Sequence, residues 1–282
     1  MRKFGFTLAE ALLTIVIIGV VAALIIPPVV ANYEDKKYNT ARLKALHTFG
    51  EAGKMAAIND LMTGQENAKD FVNNVLSKYL KITKVCDTAE ECNFPSKILP
   101  FSSSTKLVSD DITKLNSNVY IATADGFTAK LFYNPTCLKN TTSASLQVAS
   151  PACINIIYDM NGPKEPNRTG NDIGIVTTFW SGYKTTSVAP GLSSNKSSAK
   201  YADAIEFCAS QSTSKIQYYL PTLEEVSSLF INRDLTSITG VDFWSSTIVE
   251  DRPDLAWIIY GNFNTLNQVS QNNGGTAWCV RR

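Results

Sequence analysis

The sequence predicts an α+β protein with a long amino-terminal helix, a small antiparallel β-sheet and a second α+β module at the carboxy terminus. Residues 11–30 form an almost unbroken apolar run, which continues into a repeat with helical spacing. Four stretches between Asn118 and Lys184 are rich in β-branched and aromatic residues and are bounded by turn formers, which is typical of strands. Two helical patterns and four further strand-like stretches follow residue 200.

The composition favours a folded protein that is not an enzyme. The 282 residues are 44% hydrophobic and 18% charged, as expected of a chain with a core. The formal net charge of +1 gives no electrostatic reason to expect nucleic acid as a partner. The one histidine, His47, argues against His-based triads and His-rich metal sites. We find no constellation of paired acids, Ser/His groups or metal ligands that an anchored enzyme would need.

The apolar run at residues 11–30 has the length of a membrane span, because twenty helical residues cover roughly 30 Å. A cleaved secretory signal could begin at Arg2 and Lys3, but its apolar region would exceed the usual length of about 7–15 residues. A plain membrane anchor explains the length and leaves Glu10, at the head of the run, without a purpose.

The six cysteines indicate disulfides and an oxidising compartment. None of them forms a C-x-x-C pair, and zinc is not expected with so few histidines. Local spacing favours the pairs Cys86–Cys92 and Cys137–Cys153, which leaves Cys208 with Cys279. Disulfides persist outside the cytoplasm. We therefore expect a single-pass inner-membrane protein whose carboxy-terminal region lies outside the cytoplasm.

The stretch Gly5-Phe6-Thr7-Leu8-Ala9-Glu10 follows a short basic leader and closely resembles the processing site of type IV pilins and pseudopilins. The resemblance implies that prepilin peptidase cuts between Gly5 and Phe6 and that the new amino terminus is methylated. Residues 1–5 would then be a leader peptide and residues 6–30 a transmembrane helix. Glu10 would be the fifth residue of the mature chain, where the family pairs a carboxylate with the amino terminus of a neighbouring subunit. An ionisable group in a membrane is costly and is usually partnered.

Residues 31–64 are predicted to continue the pilin helix as an amphipathic segment that ends near Met62, with Gly64 as a stop signal. The residues expected on its apolar face are Tyr38, Ala41, Ala45, Phe49, Ala52 and Ala56. A pilin-like globular head is expected over residues 65–192, with a short helix from Asn67 to Tyr79. Its strands are predicted at residues 119–126, 127–133, 152–160 and 172–184. The resemblance implies that this sheet packs on the helix.

The loop from Asp159 to Asp172 allows two interpretations. Asp159, Asn161 and Asp172 carry the oxygen donors that calcium prefers, although the loop lacks the full EF-hand spacing. The loop also resembles a conserved turn of the pilin-like family, in which Asn and Asp side chains bond their own backbone. Calcium is the only cofactor that we consider. The letters Glu165-Pro166-Asn167 match a sugar-selecting motif of some C-type lectins, but they stand in the wrong chain order and we attribute them to chance.

A carboxy-terminal module is predicted over residues 193–282, after a polar linker at residues 193–200. A helix over residues 201–210 should bury Tyr201, Ala204, Ile205 and Cys208. A second helix should begin after Thr222, which forms a capping box with Glu225. Strands are predicted at residues 242–247, 256–263, 266–271 and 276–282.

The order of these elements resembles the carboxy-terminal domains first noted in bacterial collagen-like adhesins, a branch of the C-type-lectin-like fold. The matching residues are Cys208, Leu220-Pro221-Thr222, Glu224 or Glu225, Trp244-Ser245-Ser246-Thr247, Ala256-Trp257 and Cys279-Val280-Arg281. The resemblance implies a compact fold clasped by Cys208–Cys279, with the tryptophans in the core. A contact surface for an external ligand would lie among residues 232–239, 250–254 and 271–275.

These features together predict a pilin-like structural subunit of a type IV pilus. The added module favours a minor or tip component that presents a binding surface for adhesion. A pseudopilin of a type II secretion system, which acts in protein export, is the alternative. In either case the expected partners are other pilin or pseudopilin subunits, prepilin peptidase, the inner membrane and a surface ligand. A DNA-uptake pilin would require a more cationic surface.

Overall fold

The computed structural model describes residues 8–109, 112, 117–137, 146–147, 152–179, 185–187, 196–214, 216–238 and 242–281. Within these residues the protein is mixed α+β, with an amino-terminal apolar helix followed by largely antiparallel sheets, as predicted. The chain divides into two compact units, Met1–Ala41 and Arg42–Arg282. Both large sheets belong to the second unit.

The first helix, α1, runs from Leu8 to Ile58 and is continuous through Pro27 and Pro28. It ends earlier than predicted because Asp60 adopts a left-handed backbone conformation with φ of 54°. The N–H of Asp60 donates to the carbonyl of Ala57 (3.1 Å), and the N–H of Leu61 donates to the carbonyl of Ala56 (2.9 Å). This is a Schellman motif, in which an aspartate stands where glycine is usual.

The last part of α1 packs against a sheet through the apolar face that the helical repeat predicts. Ala45, Phe49, Ala52 and Ala56 are all buried. The Phe49 ring lies 5.7 Å from the Tyr158 ring and 5.9 Å from the Phe127 ring. Gly53 lies directly against the Thr178 side chain, because an added Cβ would lie 2.4 Å from the Thr178 hydroxyl oxygen.

Three short helical segments and nine strands follow α1 among the described residues of the predicted head region, and one of the helical segments is a 3₁₀ turn at Glu90–Cys92. The helix α2 (Ala68–Asn74) is capped by the Asn67 side chain and continues into a 3₁₀ turn at Leu76–Lys78, as expected for residues 67–79. The strands are β1 (Ile82–Cys86), β2 (Lys97–Ile98), β3 (Leu107–Val108), β4 (Ser117–Thr123), β5 (Thr128–Tyr133), β6 (Leu146–Gln147), β7 (Ala152–Asp159), β8 (Ile173–Phe179) and β9 (Thr185–Ser187). The four predicted strands are present as β4, β5, β7 and β8.

The head sheet has the order β1-β4-β5-β7-β8-β9, and every adjacent pair is antiparallel. Every residue of β5, β7 and β8 is buried, which happens when both faces of a sheet are covered. Tyr158 and Thr178 face α1. Alternate residues such as Ile173 and Ile175 face an apolar cluster that includes Leu235 of the carboxy-terminal module.

In the part that the structure describes, the carboxy-terminal module has three helices and seven strands. They are β10 (Lys196–Ala199), α3 (Tyr201–Ser210), β11 (Tyr218–Tyr219), α4 (Leu223–Ile231), α5 (Arg233–Thr236), β12 (Asp242–Val249), β13 (Arg252–Tyr260), β14 (Thr265–Ser270), β15 (Gly275–Ala277) and β16 (Val280–Arg281). The predicted capping box is present: the Thr222 hydroxyl accepts from the N–H of Glu225, and the Glu225 carboxylate accepts from the N–H of Thr222.

The second large sheet has the order β10-β15-β12-β13-β14-β6, and its β12–β15 pair is parallel. Three details differ from the predictions. Residues 196–199 of the expected linker form the edge strand β10, and β6 reaches this sheet from the head region. Ile205 is 42% exposed, because α3 buries Tyr201, Ala204 and Cys208 on a narrower face. The predicted boundary at residues 192 and 193 lies outside the described residues.

Candidate functional site

The first candidate site is the apolar segment Leu8–Pro27 of α1. By length and composition it can cross a membrane, and it is the one helix in the described part of the chain for which this is true. Its apolar side chains are exposed around the helix; Ile18, for example, is 66% exposed and Leu24 is 71% exposed. A helix that is apolar on all sides is typical of a segment surrounded by lipid or by other helices.

Glu10 lies in the first turn of α1, among these apolar residues. The acid is compatible with the helix start because the macrodipole favours negative charge there. Gly5 and Phe6, the residues predicted to flank the cleaved bond, lie outside the described residues. The structure therefore describes the acid and its apolar surroundings, while the processing site stays a prediction.

The six cysteines form three disulfides: Cys86–Cys92, Cys137–Cys153 and Cys208–Cys279. These are the pairs that local spacing favours. The first two close short loops in the head region, with sequence separations of 6 and 16. The third joins α3 to the segment between β15 and β16, across a sequence separation of 71. No cysteine is free.

The second candidate site is the loop between β7 and β8, which contains the predicted calcium ligands. Asp159 and Asp172 have no exposed surface. The Asp172 carboxylate accepts hydrogen bonds from the N–H of Asn167 (2.9 Å) and from the N–H of Arg168 (2.8 Å). The N–H of Asn161 donates to Asp159 Oδ1 (3.3 Å). The loop thus contains side chain-to-backbone turns of the kind that Asn and Asp favour.

Burial raises the pKa of the Asp159 carboxyl from 3.8 to about 7. Backbone N–H groups of Asn161, Gly162 and Met160 lower this pKa, while the Asp172 carboxylate raises it further. Among the described residues, no group of three or more His, Cys, Asp or Glu side chains is arranged to hold a metal ion. Glu165 is exposed and pairs with Lys106 at 2.6 Å, away from the two buried carboxylates.

Of the three predicted contact loops in the carboxy-terminal module, two lie together on the surface. Residues 250–254 and 272–274 are exposed. The Gln271 side chain donates to the carbonyl of Pro253 (2.7 Å), and the Gln271 N–H donates to the carbonyl of Asp254 (3.2 Å). Trp244 and Trp278 are buried in the core, as expected, whereas Trp257 is only partly buried against it.

The third loop, residues 232–239, is largely buried and not exposed as expected; only Arg233 and Asp234 are exposed among its described residues, and residue 239 lies outside them. Asn232 and Thr236 are completely buried. The N–H of Phe101 donates to the carbonyl of Leu235 (2.8 Å), and the Leu235 side chain packs in the apolar cluster beneath the head sheet. This segment therefore forms part of the junction between the head and the module.

A buried polar network at this junction was not predicted. Asn155 and Asn232 exchange two side-chain hydrogen bonds, of 2.8 and 3.1 Å. The Thr177 hydroxyl donates to Asn155 Oδ1 (2.8 Å) and lies 2.7 Å from the Ser228 hydroxyl. All four side chains are at most 1% exposed. The sequence signal was Asn155 inside an apolar strand, because a buried amide requires partners.

Comparisons with known proteins do not identify the chain. No family model matches it, and neither a curated protein nor a solved structure is detectably similar to it.

Proposed function

We propose that this protein is a type IV pilin-like subunit that is anchored in the inner membrane by α1 and assembles through α1 into a filament. The observation that carries the proposal is the exposed apolar segment Leu8–Pro27 with Glu10 in its first turn. This segment directly follows the Gly5-Phe6 pair, which resembles the processing site of the family.

Glu10 gives the proposal its physical mechanism. A carboxylate among apolar side chains is expensive in a membrane unless a cation neutralises it. Cleavage between Gly5 and Phe6 creates an ammonium group four residues before Glu10, at a similar membrane depth. The ammonium of one subunit and the carboxylate of its neighbour then stabilise a staggered stack of helices.

The second unit supports a pilin-like head with an added module. The head sheet packs on the last part of α1, which is the arrangement that the resemblance implies. The module combines two main helices with a sheet, and Cys208–Cys279 joins its first helix to its last strands. We assign it a C-type-lectin-like fold and a binding role through residues 250–254 and 272–274.

The added module favours a minor or tip subunit used in adhesion. The buried network around Asn155 and Asn232 fixes the module against the head sheet, so the exposed loops are presented in a constant orientation. Immunogold labelling of filaments tests the position. Label at filament ends supports a tip subunit, and even decoration of the shaft contradicts it. Loss of protein export without loss of adherence in a deletion strain would instead identify a secretion pseudopilin.

The test of the main proposal is intact-mass spectrometry of the native protein. We expect a chain that begins at Phe6 and carries one additional methyl group. As a matched control, Gly5→Leu changes the residue before the cleaved bond and should retain residues 1–5. A native chain that begins at Met1, or one that has lost the whole apolar segment, contradicts the proposal.

A further inference from the structure

The loop between β7 and β8 contains a group of oxygen-bearing side chains that the assembly function does not use. Contacts from both ends of the loop hold the group together. The N–H of Asn161 bonds Asp159 Oδ1 (3.3 Å), and the N–H of Met160 bonds the carbonyl of Asp172 (3.1 Å). The N–H of Asn167 bonds Asp172 Oδ2 (2.9 Å). Asp159, Asn161, Asn167 and Asp172 therefore belong to one small cluster.

Three oxygen atoms of this cluster are buried and accept no hydrogen bond from the described residues. They are Asp159 Oδ2, Asn161 Oδ1 and Asn167 Oδ1. The Asp159 side chain is 0% exposed and Asn167 is 7% exposed. Leaving a buried acceptor unsatisfied is destabilising, so native proteins contain few of them. Three unsatisfied oxygen atoms within nine residues indicate that the loop binds a group that accepts their electron pairs.

The charges of the loop indicate that this acceptor is a cation. Asp159 and Asp172 are both 0% exposed, and the N–H of Met160, next to Asp159, donates to the carbonyl of Asp172 (3.1 Å). No ion pair within the described residues includes either of them. Arg168 is committed elsewhere, because its Nη1 donates to the carbonyls of Pro100, Phe101 and Ser103 at 3.1–3.2 Å.

The ligand atoms indicate the type of cation. Carboxylate and amide oxygens suit hard cations, and calcium accepts six to eight of them in irregular geometry. Magnesium requires a nearly ideal octahedron and retains several waters. Gly162 and Gly170 have positive φ angles, of 70° and 87°, a conformation that favours glycine in tight turns.

We propose that the β7–β8 loop binds one calcium ion, with Asp159, Asn161 and Asn167 as its side-chain ligands. Asp172 is a positioning residue, because both of its carboxylate oxygens hold backbone N–H groups of the loop. This assignment differs from the sequence-based one, which made Asp172 a ligand and omitted Asn167. With one charged ligand, the site belongs with weak extracellular calcium sites, whose Kd is about 0.1–1 mM.

Bound calcium would act at the junction between the head and the module. Arg281 of β16 donates to the carbonyl of Gly170 (2.8 Å), and the N–H of Leu99 donates to the carbonyl of Asn167 (2.8 Å). The loop is thus held from two sides by other segments. An ion that fixes the loop also stabilises these contacts, so calcium should raise the thermal stability of the whole unit.

The test is thermal unfolding of the full-length, detergent-solubilised protein after removal of metal ions. Calcium at about 10 mM should raise Tm by roughly 3–10 °C, from the ligand concentration relative to Kd and the size of the unit. Magnesium at the same concentration, and sodium chloride at matched ionic strength, should produce much smaller shifts. An equal response to all three salts contradicts the proposal, and so does the absence of a calcium response.

Two variants and one control locate the site. Asp159→Asn retains the shape of the side chain and should fold, yet its calcium response should be lost. Asn161→Ala changes a half-buried side chain and should weaken calcium binding at least about fivefold by titration calorimetry. Glu165→Gln removes an exposed acid of the same loop and should respond as the parent does. A full calcium response in Asp159→Asn, or its loss in Glu165→Gln, overturns the assignment.

Discussion

The two ends of α1 belong to one continuous helix but have opposite surroundings. Leu8–Pro27 exposes apolar side chains on all sides, and none of the segment is buried within the chain. In the last part, Ala45, Phe49, Ala52 and Ala56 form a buried stripe, while Lys44, Glu51 and Lys54 remain exposed. Both parts are helical, but residues of the same chain cover the apolar face of the last part and leave the first part exposed.

Under the proposed function, the two parts of α1 have separate roles: the first acts in assembly and the last contributes to folding. The last part of α1 finds its apolar partners in the head sheet, and its contacts therefore contribute to the free energy of unfolding. Under the proposed function, the first part finds its partners in lipid or in other subunits. Substitutions in the first part should change membrane insertion and incorporation into filaments. Substitutions in the last part should change the free energy of unfolding.

The largest effect is expected from removing residues 1–30. The shortened chain should move completely from the detergent phase to the aqueous phase, because it lacks the apolar segment. It should retain three disulfides and unfold cooperatively, with Tm within about 2 °C of the parent. Phase partitioning, thiol titration and circular dichroism measure these properties. Loss of cooperative unfolding would mean that the first part of α1 also contributes to folding.

The next largest effect is expected from Phe49→Ala. The Phe49 side chain is fully buried between Phe127 and Tyr158, and its removal leaves a cavity. The free energy of unfolding, measured by urea denaturation in detergent, should fall by about 3–5 kcal/mol. The matched control is Leu24→Ala in the first part, where the side chain is 71% exposed. It should change the free energy by less than about 0.5 kcal/mol.

A smaller contrast is expected between two glycines of the same helix. A methyl group added at Gly53 would lie 2.4 Å from the Thr178 hydroxyl oxygen, whereas one added at Gly19 meets no atom within 4 Å. Gly53→Ala should therefore lower the free energy of unfolding by about 1–3 kcal/mol. Gly19→Ala should leave it unchanged or raise it slightly, since alanine favours helices. Equal effects on Tm would contradict the comparison.

The smallest effect is expected from the surface charge on the last part of α1. Lys44 Nζ lies 3.2 Å from Asp125 Oδ1, and both side chains are about half exposed, at 52% and 45%. A double-mutant cycle with Lys44→Ala and Asp125→Ala should give a coupling energy of about 0.2–1 kcal/mol, which declines as salt is added. A coupling above about 2 kcal/mol would mean that charge, and not packing, holds this part of α1.

The sequence predicted most of the elements because their signals are local. The helical repeat identified the buried stripe of α1, and the Thr222/Glu225 pair identified the start of α4. The end of α1 was missed because Asp60 adopts the left-handed conformation that is usually assigned to glycine. Gly64 also has a positive φ, of 90°, but it lies beyond the helix.

The junction between the two sheets could not be predicted in the same way. It depends on contacts between residues far apart in the sequence, such as Asn155 with Asn232 and Phe101 with Leu235. Residues 232–239 were predicted to lie in an exposed contact surface. Periodicity in the sequence does not show which surfaces meet in the folded protein. The same limit applies to the loop between β7 and β8: oxygen-donor chemistry suggested Asp172 as a calcium ligand, whereas both of its carboxylate oxygens accept hydrogen bonds from backbone N–H groups.

The most direct test of the external role of Leu8–Pro27 is the abundance of a Glu10→Ala protein in sheared filaments, relative to its abundance in the inner membrane. The account predicts normal processing, normal membrane levels and an unchanged Tm. It also predicts at least about a tenfold loss from the filament fraction, which corresponds to about 1.4 kcal/mol or more of lost pairing. Incorporation at the parental level would contradict the claim that this segment assembles subunits through its carboxylate.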